Sequence, residues 1–129
     1  MKILVCTDGS NHSRKAVAEA ADLAEAIANC EVTVINVYND MAFNGYIHTY
    51  KEEGEKIIAE SVKVFSTKNI QVKTLLLGGN PAQTILKVAQ EYDMLILGSR
   101  GRGGLKTLFL GSVSNAVLKA ATRKVLIIK

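Results

Sequence analysis

The sequence predicts an α/β fold: one doubly wound sheet of five parallel strands with helices on both faces. Two observations carry that expectation. Five short apolar runs alternate with four helix-patterned segments along the 129 residues. The runs are β-branched and continuous rather than alternating, as in strands buried on both faces of a parallel sheet. Strands joined through helices need crossover connections, and right-handed crossovers in both directions cover both faces.

The elements follow in order. Ile3–Thr7 is the first strand. The first helix spans about Ser13 to Ala28, with Ala16, Ala20, Leu23, Ala24 and Ile27 on one face, and its small residues suit close packing on a sheet. Val32–Tyr38 is the second strand. Asn39–Tyr50 is the least regular segment, with Phe43, Gly45, Tyr46, His48 and Tyr50; a lid, a partner surface and a loop without a role all fit it. The second helix covers about Lys51 to Lys68, with Ile58, Val62 and Phe65 inward, and Val72–Leu77 is the third strand. Asn80 then stands as N-cap, Pro81 at the first helical position and Gln83 as a capping-box partner. Ile85, Leu86, Ala89 and Tyr92 form the inner face of that third helix. Met94–Leu97 is the fourth strand. The fourth helix starts at Gly111-Ser112 and turns Val113, Ala116, Val117 and Ala120 inward, and Val125–Ile128 closes the sheet.

Residues 1–129 suit a single domain with an aliphatic core, since Trp is absent and aromatics make up only 5%. No run is long enough to span a bilayer. Asp8 interrupts the N-terminal apolar run and no small-residue cleavage site follows, so the expectation is a cytoplasmic protein with no membrane partner. Cys6 and Cys30 have neither CxxC nor metal spacing and read as reduced thiols. Charge is unevenly spread. Residues 94–129 contain no acid and carry Arg100, Arg102, Lys106, Lys119, Arg123, Lys124 and Lys129, a charge of +7. The first 93 residues hold nine Lys/Arg against twelve Asp/Glu. Such a one-signed third suits a polyphosphate ligand, or simply a solvated basic face.

The chemistry concentrates where strand Met94–Leu97 meets Gly98-Ser99-Arg100-Gly101. A strand, a loop of bare backbone N–H groups and a helix N-terminus at Gly111-Ser112 make an anion site, and a nucleotide phosphate is the simplest anion to fit it. Other phosphate folds are excluded. After Gly98 and Gly103, Gly104 and Leu105 stand where a P-loop needs Lys and Ser/Thr. The first strand ends in Thr7-Asp8-Gly9-Ser10, not GxGxxG. The third ends in Leu77-Gly78-Gly79, which lacks the acceptor Asp of a receiver domain.

The spacing that fits is G-x2-G-x9-G-S: Gly98, Gly101, Gly111 and Ser112. With Thr7-Asp8-Gly9-Ser10, the Asn36-Val37 pair and the closing Lys124-Val125-Leu126-Ile127-Ile128, the whole chain resembles the universal stress protein family, in its ATP-binding subgroup. The resemblance implies strand order 3-2-1-4-5, which opens a crevice between strands one and four. It implies that Asp8, with Thr7 beside it, accepts from ribose hydroxyls; a helix cap, with Ser10 and Ser13 as competitors, is the alternative for Asp8. It implies that Val37 holds adenine through its main chain. Leu97 and Gly98 close strand four at the same crevice. Gly98 and Gly101 would let backbone approach the phosphates, and Gly111 would clear room at the helix start. The N–H groups of Ser112 and Val113 and the hydroxyls of Ser112 and Ser114 would donate to phosphate oxygens. Arg100 and Arg102 are candidate phosphate partners or solvated loop cations, and Lys106 reads as surface.

No nucleophile–base pair is visible, and His12 and His48 have no partners at the level of sequence. Asp40 is the one other acid near the crevice, so Mg²⁺ (or Mn²⁺) would rest mainly on ATP phosphates and water. The expectation is no catalytic residues: an ATP-binding regulator or sensor of the stress response, acting on an unknown protein partner. A slow ATPase or nucleotidyl-transfer enzyme is the alternative. Nucleic acid is disfavoured, because sparse aromatics offer no stacking platform. The implied order puts 125–128 at a sheet edge, where an antiparallel homodimer would form, as members of the family commonly do.

Overall fold

The computed structural model describes residues 1–41, 46–102 and 110–129, without the side chains of residues 46–48. Lys106, Phe43 and Gly45 lie outside the described residues, as do the side chains of Tyr46 and His48. The elements are β1 (Lys2–Cys6), α1 (Asn11–Ala26), β2 (Glu31–Tyr38), α2 (Tyr46–Ser66), β3 (Lys73–Gly78), α3 (Pro81–Val88), β4 (Met94–Gly98), α4 (Ser112–Ala120) and β5 (Lys124–Ile128). A single 3₁₀ turn, Ala89–Glu91, continues α3. The five strands pair in parallel in the order β3-β2-β1-β4-β5.

Strand parity divides the core. Ile3, Val5, Val32, Val34 and Ile96 face α1 and α2, where Ala16, Val17, Ala20, Ala21 and Phe65 complete a buried layer. Leu4, Cys6, Ile35, Leu95 and Leu97 face the other way, onto Ile85, Ala89 and Val117 of α3, its 3₁₀ turn and α4. Side chains alternate between the faces of a strand, so burial on both explains why the runs read as continuous. Because α1 leaves β1 toward one face and α4 follows β4 onto the other, the C-terminal ends of these neighbours are left uncovered. Among the described residues no helix is long and apolar enough to cross a membrane.

Two details depart from the sequence reading. First, α2 begins at Tyr46, not near Lys51, and so absorbs the end of the segment read as irregular. The stretch Tyr46-Ile47-His48-Thr49-Tyr50 is aromatic and β-branched, hence of modest helix propensity, and gives little sign of its helix. Second, α4 buries Ser114 and Val117, with Val113 and Ala121 half-buried beside them, and leaves Ala116 and Ala120 exposed. Alanine has too little apolar surface to fix a helix's facing. Of the caps read as alternatives for α1, Ser10 is the one used: its side chain accepts from the Ser13 N–H. Asp8 is therefore not the cap. Asn80 caps α3 as read, accepting from the Gln83 N–H at 3.0 Å with Pro81 next in line.

Candidate functional site

A cavity of about 360 Å³ opens at the C-terminal ends of β1 and β4, on the α3–α4 face. Its volume is within the ~300–1,000 Å³ common for small-molecule sites. The structure brings Thr7, Asp8, Val37, Leu97, Gly98, Arg100, Gly101, Arg102, Gly111, Ser112, Val113 and Ser114, every candidate residue, to its wall. It adds Cys6, Ser13, Ile35, Pro81 and Ile85, which sequence reasoning missed. Strand parity could have found two of them. Ile35 lies two residues before Val37 on the same face, and Cys6 ends the neighbouring strand with the same parity.

The cavity has two chemically different ends. Ile35, Val37, Pro81, Ile85 and Leu97 make one wall apolar. The thiol of Cys6 belongs to that wall, since burial pushes its pKa up to about 12 and keeps it neutral. The other end is backbone and charge. The first turn of α4 begins at Gly111, which supplies no side-chain cap, so its leading N–H groups have no partner from a capping side chain. The positive end of the helix dipole lies there. Arg100 reaches the same wall with its Nε buried and without a hydrogen-bond partner among the described residues.

Asp8 holds this end together. Its Oδ1 accepts from the Ser10 N–H at 2.9 Å and its Oδ2 from the Arg102 N–H at 3.0 Å. The second bond ties the loop after β4 to the end of β1. Burial raises the carboxyl pKa, but hydrogen bonds from Ser10, Arg102 and Ser13 outweigh it, and the net shift is downward. Asp8 is thus a fixed anion. Asn36, buried on β2, donates its amide to the Thr7 carbonyl at 2.9 Å and fixes the same turn.

Several candidate groups already have partners. The Ser114 hydroxyl donates to the Gly98 carbonyl at 2.6 Å and clips α4 to β4. The Thr7 hydroxyl is 3.1 Å from that of Ser13 and accepts from the Gly9 N–H. The Arg102 guanidinium lies 3.4 Å from Glu53 of α2. Ser112 stays exposed at the start of α4. Asp40 does not line the cavity; it sits beside Gly78. Gly98 has a role the sequence did not suggest. A Cβ there would lie 2.6 Å from the His12 carbonyl carbon and 2.7 Å from the Ser13 nitrogen. Its missing side chain admits the first turn of α1.

Comparison with known proteins agrees with this architecture. The family model "Universal stress protein family" matches residues 1–129. The universal stress protein YxiE of Bacillus subtilis is 32% identical, over 99% of this chain and 98% of that protein. Universal stress protein UspA from Lactobacillus plantarum superposes with a TM-score of 0.90 at 22% identity, over 100% of this chain and 97% of its own. A universal stress protein solved in complex with cAMP superposes at 0.78 with 25% identity, over 100% and 97%. The chain belongs to the universal stress protein family.

Proposed function

We propose that the cavity binds an adenine nucleotide, ATP with Mg²⁺, and that the protein is a nucleotide-dependent regulator in the stress response rather than an enzyme of ordinary turnover. One observation carries the reading: an apolar wall and an uncapped helix N-terminus beside Arg100, its Nε unpartnered among the described residues, share one cavity of about 360 Å³. A planar base suits the first and a phosphate chain the second. The cAMP complex of a relative supports the adenine end.

The residues present fit the ligand. The N–H groups of Ser112 and Val113 would donate to phosphate oxygens, with the α4 dipole adding ~0.3–1 kcal/mol. Arg100 would find for its unpartnered Nε an acceptor that the described residues do not provide. Asp8 has further lone pairs to accept from ribose hydroxyls. The divalent ion would rest on the phosphates and water, with Asp8 the one acid in the cavity wall among the described residues. That acid is a poor general base, because the two backbone N–H groups stabilise its carboxylate and lower its affinity for a proton.

Calorimetry with ATP and Mg²⁺ tests the reading. Binding is expected, with stability raised by ~2.7 kcal/mol at a hundredfold excess over Kd. Phosphate release should stay below ~1 s⁻¹. Absence of both heat and thermal shift at millimolar nucleotide would overturn it, and faster release abolished by Gly101→Val would favour the ATPase.

The same reading includes an antiparallel homodimer through β5, an edge strand whose residues 125–128 are only half-buried. Ile128 turns its carbonyl toward β4, where it accepts from the Ser99 N–H, so the alternate residues Val125 and Ile127 point their backbone groups outward. Val125→Pro removes one outward donor and leaves the β4 ladder intact. Light scattering should show a dimeric parent and a monomeric variant. A monomeric parent at micromolar concentration, or an unchanged dimer, would refute the interface.

A further inference from the structure

We propose that Glu53 of α2, which does not line the cavity, sets the affinity of the site by withholding Arg102 from it. The inference rests on the nucleotide reading above.

Arg102 is fixed at its backbone and held only by an exposed ion pair at its guanidinium. Its backbone N–H is held by Asp8 at 3.0 Å, which pins the residue at the cavity wall. Its guanidinium is turned outward, 3.4 Å from the Glu53 carboxylate, with both side chains about half exposed. An exposed ion pair of this kind is weak, and the flexible arm can exchange partners without disturbing the backbone bond. Among the described residues the charged groups in the wall are Asp8, Arg100 and Arg102, so pairing with Glu53 takes one of these two cations away from a ligand. Among the described residues, Arg100 then remains as the cation against the phosphates.

A phosphate chain at the α4 N-terminus carries more charge than one carboxylate and accepts from a guanidinium in the same forked geometry. It would draw Arg102 inward and leave Glu53 unpaired on α2. Each binding event therefore includes the cost of breaking the Arg102–Glu53 pair. Removing the competitor removes that cost, but only while Arg102 is present. This makes Glu53 a positioning residue that acts through Arg102, and it links ligand occupancy to α2.

A double-mutant cycle tests the link, with Mg-ATP as the probe and calorimetry as the readout. Glu53→Gln should bind ATP about two- to five-fold more tightly than the parent, the range expected for an exposed pair. The gain should shrink as salt rises. In an Arg102→Gln background the same substitution should change affinity by less than about 1.5-fold, because nothing is left to release. A gain that persists without Arg102 would show that Glu53 acts only through its long-range field and would overturn the inference. So would Glu53→Gln binding like the parent. A parent that binds no ATP at millimolar concentration would overturn the nucleotide reading itself, and this inference with it.

Discussion

Gly98→Ala is expected to destabilise the protein by about 3 kcal/mol, the upper end of overpacking costs, although it adds a single carbon. That carbon would sit 2.6 Å from the His12 carbonyl carbon and 2.7 Å from the Ser13 nitrogen. Both are backbone atoms of the first turn of α1, and neither can rotate away. The turn is also locked. Ser10 caps it, the Ser13 hydroxyl donates to the Ser10 carbonyl at 3.0 Å, and Ser13 is buried against Thr7. Relief therefore requires α1 to move as a body, which opens the layer of Ala16, Val17 and Ala20 against the sheet. A thermal melt should fall by about 10 °C. If Gly98 served phosphate approach alone, the melt of the unliganded variant would match the parent, and that result would refute the packing role.

Gly98 also marks where sequence reading stops. The glycine spacing located the loop, but it assigned Gly98 to the ligand, because a sequence does not reveal that α1 crosses behind β4. The alternation of apolar runs and helices was legible because both faces of the sheet are buried. The strand order was not; it came from family resemblance. Caps with a local signature were read directly, as with Asn80 and Pro81. Asp8 was ambiguous because one of its two backbone partners is local, the Ser10 N–H, and the other, the Arg102 N–H, is 94 residues away. Ser114 was taken for a phosphate donor, yet its hydroxyl belongs to the Gly98 carbonyl. Polar residue types announce that a hydrogen bond will be made; only the fold decides with what. The same limit applies to Arg102, whose partner Glu53 lies on a different helix.

Gly101→Val is expected to lower ATP affinity by at least about 100-fold, ~2.7 kcal/mol, with a smaller loss of stability than Gly98→Ala. A Cβ at Gly101 would lie 2.6 Å from the Asp8 Oδ2. That oxygen accepts the Arg102 N–H, so a branched side chain must push the carboxylate aside and cut the bond joining the two strand ends. Two losses then combine. The loop after β4 is no longer held beside the start of α4, where a Cβ on Gly111 would already come within 3.4 Å of the Gly101 nitrogen. The valine methyls also enter the space through which phosphate oxygens would approach backbone. Stability suffers less because Gly101 is exposed and the clash is with a movable side chain, whereas at Gly98 it is with a buried helix backbone. Calorimetry and a thermal melt on the two variants separate these effects. Gly98→Ala should shift the melt most and Gly101→Val the affinity most. Affinity within about threefold of the parent for Gly101→Val would place the phosphates away from this loop.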